Sequence, residues 1–328
     1  MKINPINNMT RFDYYLSKIN IFDYIDLWIK LINNWYLLIL FRAGILKTMT
    51  VKLRSGKTYS IKSIEDYRKF WISKIFLEDW INLLNHSRYV HIALKSKKLL
   101  VIKSKRFDKR IYFYIDDNAQ LFNTLNFINE NFINDQYKWL EVKGKDVVDI
   151  GAAVGDTAIY FALKGAKHVY AFEPYPYSYK IAQKNIRLNH LENKITLLNE
   201  GCGKSNTVMI SPKIKNYGNS SINFYNTKKG KRIPILSLEE IVKTFKINNG
   251  IMKVDCEGCE YELILNAKEE ILLRFKQIII EYHYGYKNLI SKLKPIFRMR
   301  HTLPQCMHDS DKKEKQMYRG LILCDRKE

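Results

Sequence analysis

At 328 residues, with 46% hydrophobic and 13% aromatic side chains, the chain can build a sizeable core, exceeds the usual size of one compact domain, and is not globally disordered. A formal charge of +22 suits a polyanionic partner such as nucleic acid, an anionic membrane surface or a phosphorylated or sulfated substrate, although the joint abundance of Lys, Asn, Ile and Tyr is also what AT-rich coding produces. The odd set of cysteines (Cys202, Cys256, Cys259, Cys306 and Cys324), in a chain too large to need disulfide staples, and the lack of a signal-peptide pattern lead to the expectation of a reducing, cytoplasmic setting.

Residues 1 to about 45 read as helical. The most apolar part, Ile21 to Leu46, is interrupted by Asp23, Asp26, Lys30, Asn33, Asn34 and Arg42, so it is too broken to span a bilayer. It is expected to be amphipathic and packed on the body, with peripheral association at a membrane surface as the other reading. Thr48 to Ile61 alternates as a hairpin around Arg54-Ser55-Gly56-Lys57, and a helix is expected from Ile64 to about Asn85. A second hairpin runs from Leu99–Ile102 to Ile111–Ile115, and its turn carries Lys103, Lys105, Arg106, Lys109 and Arg110.

From Asp146 the pattern changes to short apolar runs alternating with helical stretches, which is the signature of βαβ units and a mostly parallel, doubly wound α/β sheet. Strands are expected at Asp146–Ile150, His168–Phe172, Ile195–Asn199, Gly250–Val254 and Gln277–Glu281, with a late antiparallel strand at Gly320–Cys324. The chain therefore divides into an α+β accessory region, 1–138, and a Rossmann-like domain, 139–328.

The first strand of that domain runs into Gly151-Ala152-Ala153-Val154-Gly155-Asp156-Thr157, a glycine turn followed by a helix. Gly151 permits a tight turn and close approach of a ligand, and Gly155 permits close packing of helix on strand. The G-x-x-x-G spacing departs from the G-x-G-x-x-G that a dinucleotide pyrophosphate needs. Asp149, just before the turn, suits a ligand presenting an ammonium group. The second strand ends in Phe172-Glu173-Pro174, which sets Glu173 where a carboxylate would accept hydrogen bonds from both ribose hydroxyls.

Further along, Lys253-Val254-Asp255-Cys256-Glu257-Gly258-Cys259-Glu260 puts a lysine and three carboxylates at a strand exit, where open α/β sheets carry their chemistry. With these segments in view the chain resembles the FkbM-like methyltransferase family, whose members carry a D-x-G-A-x-x-G-D turn, an A-x-E-P strand end and a K-x-D-x-E-G-x-E segment. The matching stretches are Asp149–Asp156, Ala171–Pro174 and Lys253–Glu260; Leu263–Ala267 and Ile280-Glu281-Tyr282-His283 are also similar. The likeness covers about residues 140 to 328 and extends faintly to Lys52–Gly56. Two departures stand out: Ala153, where members often have Asn, and Cys256 and Cys259 in place of small apolar residues.

The resemblance implies a class I methyltransferase fold, S-adenosylmethionine as cofactor, and O-methylation of a hydroxyl on a sugar, lipid-linked glycan or other small metabolite. Expected cofactor contacts are Asp149, Gly151, Ala152, Ala153, Gly155, Asp156, Thr157, Glu173, Pro174 and Asp255. Removal of the hydroxyl proton needs a base, for which Asp255, Glu257, Glu260 and His283 are the candidates, with Glu281 as an orienting partner. Two neighbouring carboxylates can instead bind a divalent cation. Cys256-x-x-Cys259 has the spacing of half a zinc site or of a redox pair, but no second CxxC and no H-x-x-x-H accompanies it, and the two are expected to act as small, partly buried hydrophobes. The loop Tyr217–Ser221 can cover an acceptor or serve as a plain turn. The competing functions are an RNA ribose methyltransferase that uses the basic N-terminal region, and a cofactor-binding protein without catalysis.

Overall fold

The computed structural model describes residues 25–211, 213–215, 230–308 and 316–328, so the expected helix before residue 25 and the loop Tyr217–Ser221 lie outside the described residues. Phe22–Gln136 forms one compact unit and Tyr137–Glu328 belongs to another.

The N-terminal unit opens with α1 (Ile25–Leu31) and α2 (Tyr36–Arg42), broken at Asn33-Asn34. Asn34 turns its side chain to the hairpin of β1 (Met49–Lys52) and β2 (Thr58–Ile61), donating to the Thr50 carbonyl at 2.7 Å and accepting from the Lys52 amide at 2.8 Å. Trp28, Leu31, Ile32, Leu38 and Phe41 are buried, so this apolar stretch packs within its own unit. No helix of the described residues is long and apolar enough to cross a membrane.

The single helix expected from Ile64 is two, α3 (Ile64–Trp71) and α4 (Lys74–Leu84). The reason is local: Ser73 accepts a hydrogen bond from the Phe76 amide and starts a new helix, as Ser63 does for the first through Asp66. The second hairpin is present as β4 (Leu99–Ser104) and β5 (Lys109–Tyr114), but β4 also pairs with an unforeseen strand, β3 (Val90–Ser96). Its basic side chains Lys103, Lys105, Lys109 and Arg110 are exposed, and Arg106 pairs with Asp135. Helix α5 (Asn118–Ile128) runs on into a π-helical turn, Asn129–Ile133, near the end of the unit.

In the C-terminal unit the alternating pattern becomes β6 (Asp146–Ile150), α6 (Asp156–Leu163), β7 (His168–Phe172), α7 (Pro176–Leu188) and β8 (Ile195–Leu198). A small sheet of β9 (Gly201–Cys202), β10 (Asn206–Ile210) and β11 (Lys231–Leu236), which the sequence pattern did not reveal, precedes α8 (Leu238–Thr244) and β12 (Gly250–Val254). Then come α9 (Cys259–Leu265), α10 (Glu269–Leu272), β13 (Phe275–Tyr282), α11 (Lys287–Leu293), β14 (Phe297–His301), β15 (Gln305–His308) and β16 (Gln316–Arg326).

The main sheet has the order β14-β16-β13-β12-β6-β7-β8, with β15 attached to β16. Strands β13, β12, β6, β7 and β8 run parallel, while β16 runs antiparallel to both of its neighbours. Val148, Ile150, Met252, Val254, Ile278 and Ile280 pack with residues of α8, α9, α10 and α11 in one cluster. The alternate residues Val147, Val169, Ala171, Ile251 and Ile279 are equally buried, and α6 and α7 pack against β7 and β8. Burial of both faces makes this a doubly wound α/β sheet. Chain order reverses at β6, whose neighbours are β7 on one side and β12 on the other, so the crevice for a ligand lies at the carboxyl ends of these three strands.

Candidate functional site

Gly151 leaves β6 with a φ of +79°, and a Cβ built there would lie 1.7 Å from the Asp255 carbonyl oxygen. The close approach that demands glycine is thus between two turns of this chain, where the exit of β12 meets the exit of β6; the Asp255 amide also donates to the Ile150 carbonyl at 3.0 Å. The amides of Gly151 and Ala152 both donate to the Phe172 carbonyl, at 3.0 and 2.9 Å, and fasten the turn to β7. Gly155, φ +82°, precedes α6 as expected, but what its missing Cβ accommodates is Ala182 of α7, at 3.2 Å, so it permits helix to approach helix rather than strand.

Asp149 is fully buried. Its carboxylate accepts from the Thr157 hydroxyl at 2.6 Å and pairs with the Lys253 ammonium at 3.2 Å. The expected ammonium partner is therefore supplied from within the chain, by a lysine of the neighbouring strand. Lys253 also donates to the carbonyls of Gly151 at 2.7 Å and Ile150 at 3.2 Å, and its Nζ lies 4.0 Å from Asp255. Burial alone would lower the Lys253 pKa, but Asp149, Asp255 and Asp156 hold it above its ordinary value, so the ammonium stays charged. Asp156 and Thr157, at the start of α6, are buried, and burial pushes the Asp156 carboxyl up to about 7 against the pull of Lys253.

Glu173, at the end of β7, accepts from the Ala153 amide through one oxygen at 2.9 Å and from the Tyr175 amide through the other at 2.8 Å. The positive φ of Ala153, 44°, turns that amide toward the carboxylate. Each oxygen keeps a lone pair for a further donor. Burial raises the Glu173 pKa to about 8 despite these two amides. The Glu173 and Pro174 carbonyls both accept from the Asn199 side chain, at 2.9 and 3.0 Å; Asn199 fixes this strand end and had not been singled out in the sequence.

The exit of β12 and the end of β13 form the second half of the site. Glu260 is fully buried and acts as an anchor: it accepts from the backbone amides of Gly258 at 2.8 Å and His283 at 3.0 Å, and its Oε1 lies 3.0 Å from His283 Nδ1. That contact directs the opposite ring nitrogen of the buried His283 at three carboxylates, Glu257 at 3.5 Å, Asp255 at 3.7 Å and Glu281 at 3.9 Å. Burial alone would depress the imidazole pKa, but Glu257, Glu260 and Glu281 raise it well above the usual histidine value. Burial pushes Glu257 up to about 7, with His283 pulling it down and Asp255 and Glu281 pushing it higher. Glu257 sits at a φ of +56°, a strained conformation for a side chain of its size.

Asp255, Glu257, Glu260 and His283 are thus brought together as one group, and Glu281 joins them as a direct neighbour of His283. Arg319 of β16, 3.7 Å from Glu281, was missed; the register that sets Glu281 opposite Leu321 is what carries it there, and no motif marks it. Asp149, Glu173 and the residues from Gly151 to Thr157 form the adjoining half. Cys256 and Cys259 are joined to each other by a disulfide, with Cα atoms 5.5 Å apart, which replaces the expectation of two small free thiols. Cys202 and Cys324 are free and buried.

Residues 149–303 match the family described as the methyltransferase FkbM domain. A ribosomal protein L11 methyltransferase of Carboxydothermus hydrogenoformans is 47% identical over 55 residues, 17% of this chain and 18% of that protein. A putative protein N5-glutamine methyltransferase of Methanocaldococcus jannaschii is 33% identical over 76 residues, 22% of this chain and 39% of that one. The chain thus spans well under half the length of these two curated relatives. Among solved structures, TrmK of M. capricolum with S-adenosyl-homocysteine is similar at 16% identity and a TM-score of 0.36, covering 57% of this chain and 65% of the other.

Proposed function

We infer that this chain, whose residues 149–303 match the family described as the methyltransferase FkbM domain, is an S-adenosylmethionine-dependent enzyme that O-methylates a sugar, lipid-linked glycan or other small metabolite. The observation that carries this reading is the adjacency of two groups at the switch point of the sheet: the glycine turn with Glu173, and the carboxylate–histidine group around His283. The residues fit the cofactor, because Glu173 keeps accepting capacity for two ribose hydroxyls, and the excess of carboxylates suits a ligand carrying ammonium and sulfonium charges.

S-adenosylmethionine supplies an electrophilic methyl group, so the work left to the protein is positioning and removal of the acceptor's proton. Asp255 is the one member of the group with substantial exposure, 32% of its side chain, and it takes the hydroxyl proton. Glu260 positions His283 through Nδ1. Lys253 ties this group to the cofactor turn through Asp149 and the Gly151 carbonyl.

Incubation of the full chain with methyl-labelled S-adenosylmethionine and panels of glycan, lipid-linked and RNA acceptors tests the reading. Label in a hydroxyl acceptor, abolished by Asp255→Asn, supports it; undiminished turnover in that variant removes Asp255 from the mechanism. The exposed basic hairpin around Lys103 to Arg110 favours an anionic acceptor, and RNA is the second reading. Ribose methylation predicts RNA binding that weakens steeply with salt, because phosphate contacts release counterions, whereas shallow dependence excludes it.

A further inference from the structure

We propose that Asp255, Glu281 and His283 form a divalent transition-metal site, with Glu260 as the outer carboxylate that orients the histidine. One oxygen from each acid and one imidazole nitrogen lie within 4.8 Å of one another. Around a cation with bonds of about 2.1 Å, ligand atoms stand roughly 3 to 4 Å apart. The separations of His283 Nε2 from Asp255, 3.7 Å, and from Glu281, 3.9 Å, already meet that condition.

The second observation is the histidine itself. It is 1% exposed, its Nδ1 is held by Glu260, and its Nε2 faces the acids with no hydrogen bond to any described residue. A metal-ligating histidine commonly gives its other nitrogen to a carboxylate, which fixes the tautomer that leaves the ligating lone pair facing the metal. Glu260, secured by two backbone amides, is that carboxylate.

Charge points the same way. Asp149, Asp255, Glu257, Glu260 and Glu281 meet only Lys253, Arg319 and the imidazole of His283 as basic partners among the described residues; Lys253 is already matched by Asp149, and a bound cation would take the place of a proton on His283 Nε2. One imidazole with two carboxylates is a donor set for Mn²⁺ or Zn²⁺ rather than for a soft thiophilic ion. Asp255 lies at the partly open side of the site, where water or an acceptor oxygen would complete the coordination. That last role rests on the methyltransferase reading; binding of the ion does not.

The test is titration of the full, metal-stripped chain with Mn²⁺, read by the loss of the free-ion electron paramagnetic resonance signal, with Zn²⁺ as competitor. Expected is a single equivalent bound at micromolar concentration and displaced by Zn²⁺. Affinity should fall at least about tenfold in Asp255→Asn and Glu281→Gln, and by about tenfold in Glu260→Gln through loss of histidine orientation. Glu173→Ala, in the other half of the site, should bind Mn²⁺ as wild type does. Circular dichroism and thermal unfolding check the fold of the variants. Absence of Mn²⁺ and Zn²⁺ binding by wild type at millimolar concentration, or equal binding by Asp255→Asn and Glu281→Gln, overturns the proposal. Such a chain that still transfers methyl groups would defeat the metal site alone, whereas metal binding without any cofactor binding would defeat only the methyltransferase reading.

Discussion

Replacement of Lys253 by methionine keeps the bulk of the side chain and removes its charge, leaving Asp149 buried with only the Thr157 hydroxyl as a hydrogen-bond donor. At the observed 3.2 Å separation, and with an effective dielectric of about 20, the lost attraction is roughly 5 kcal/mol. Breaking one side of a buried pair typically costs about 3–5 kcal/mol, and the Gly151 and Ile150 carbonyls lose a donor as well. Lys253→Met should therefore lower unfolding free energy by about 3–5 kcal/mol, a large part of the stability of an ordinary domain. Asp149→Asn should be damaging in the same way, since it leaves the ammonium buried. The double variant, which carries neither charge, should cost at least about 2 kcal/mol less than the sum of the two. Equilibrium urea unfolding of the four proteins gives the cycle directly. A single-variant loss below about 1 kcal/mol, or additivity within about 0.5 kcal/mol, would refute the view that this pair locks the two strand exits together.

Gly151→Ala should destabilise by more than about 3 kcal/mol, because its Cβ would lie 1.7 Å from a backbone oxygen and its φ is left-handed; Gly155→Ala, facing Ala182 at 3.2 Å, should cost less, and thermal unfolding ranks the two. The apo protein should lose stability as pH rises from about 5 to about 8. Glu173 and Asp156, raised by burial to about 8 and about 7 from 4.5 and 3.8, keep protons in the folded state that the unfolded chain has released; stability that is flat or rising across this window contradicts the assignment. Thiol titration of the denatured, unreduced chain should find two fewer reactive cysteines than after reduction, the difference disappearing in Cys256→Ser/Cys259→Ser; equal counts would show that the pair is not bonded.

The parallel strands were legible because each is an apolar run buried on both faces and bounded by turn residues, so β6, β7 and β12 begin and end where the pattern says. The longer reach of β13 and β16 was not, because their ends carry polar residues such as Lys276 and Arg319 that only a partner strand explains. Strand β9 is only two residues long, and β3, β10 and β11 are mixed in polarity, which hides them from periodicity. The break at Ser73 was readable in principle as a cap, but the apolar spacing on either side of it suits one continuous helix.

The site follows the same division. Residues that share a motif, such as Asp255, Glu257 and Glu260, announce themselves by spacing, and the glycines by their turn. Asp149 and Lys253 are far apart in sequence, and their pairing comes from the neighbouring parallel register of β6 and β12, in which Lys253 stands opposite Asp149. Arg319 reaches Glu281 through an antiparallel register in the same way. The Cys256–Cys259 bond depends on the local turn at Glu257 and Gly258, which brings the two residues to bonding distance.

Calorimetric titration of the purified chain with S-adenosylmethionine and S-adenosylhomocysteine, wild type against Glu173→Ala, bears most directly on the function inferred for this site. Micromolar binding by wild type, weakened at least about tenfold in the folded variant, is the expected result, since the variant removes the acceptor for both ribose hydroxyls. A folded wild-type chain that binds neither compound, or a variant that binds both as tightly as wild type, would contradict the assignment of the glycine turn and Glu173 as the cofactor site.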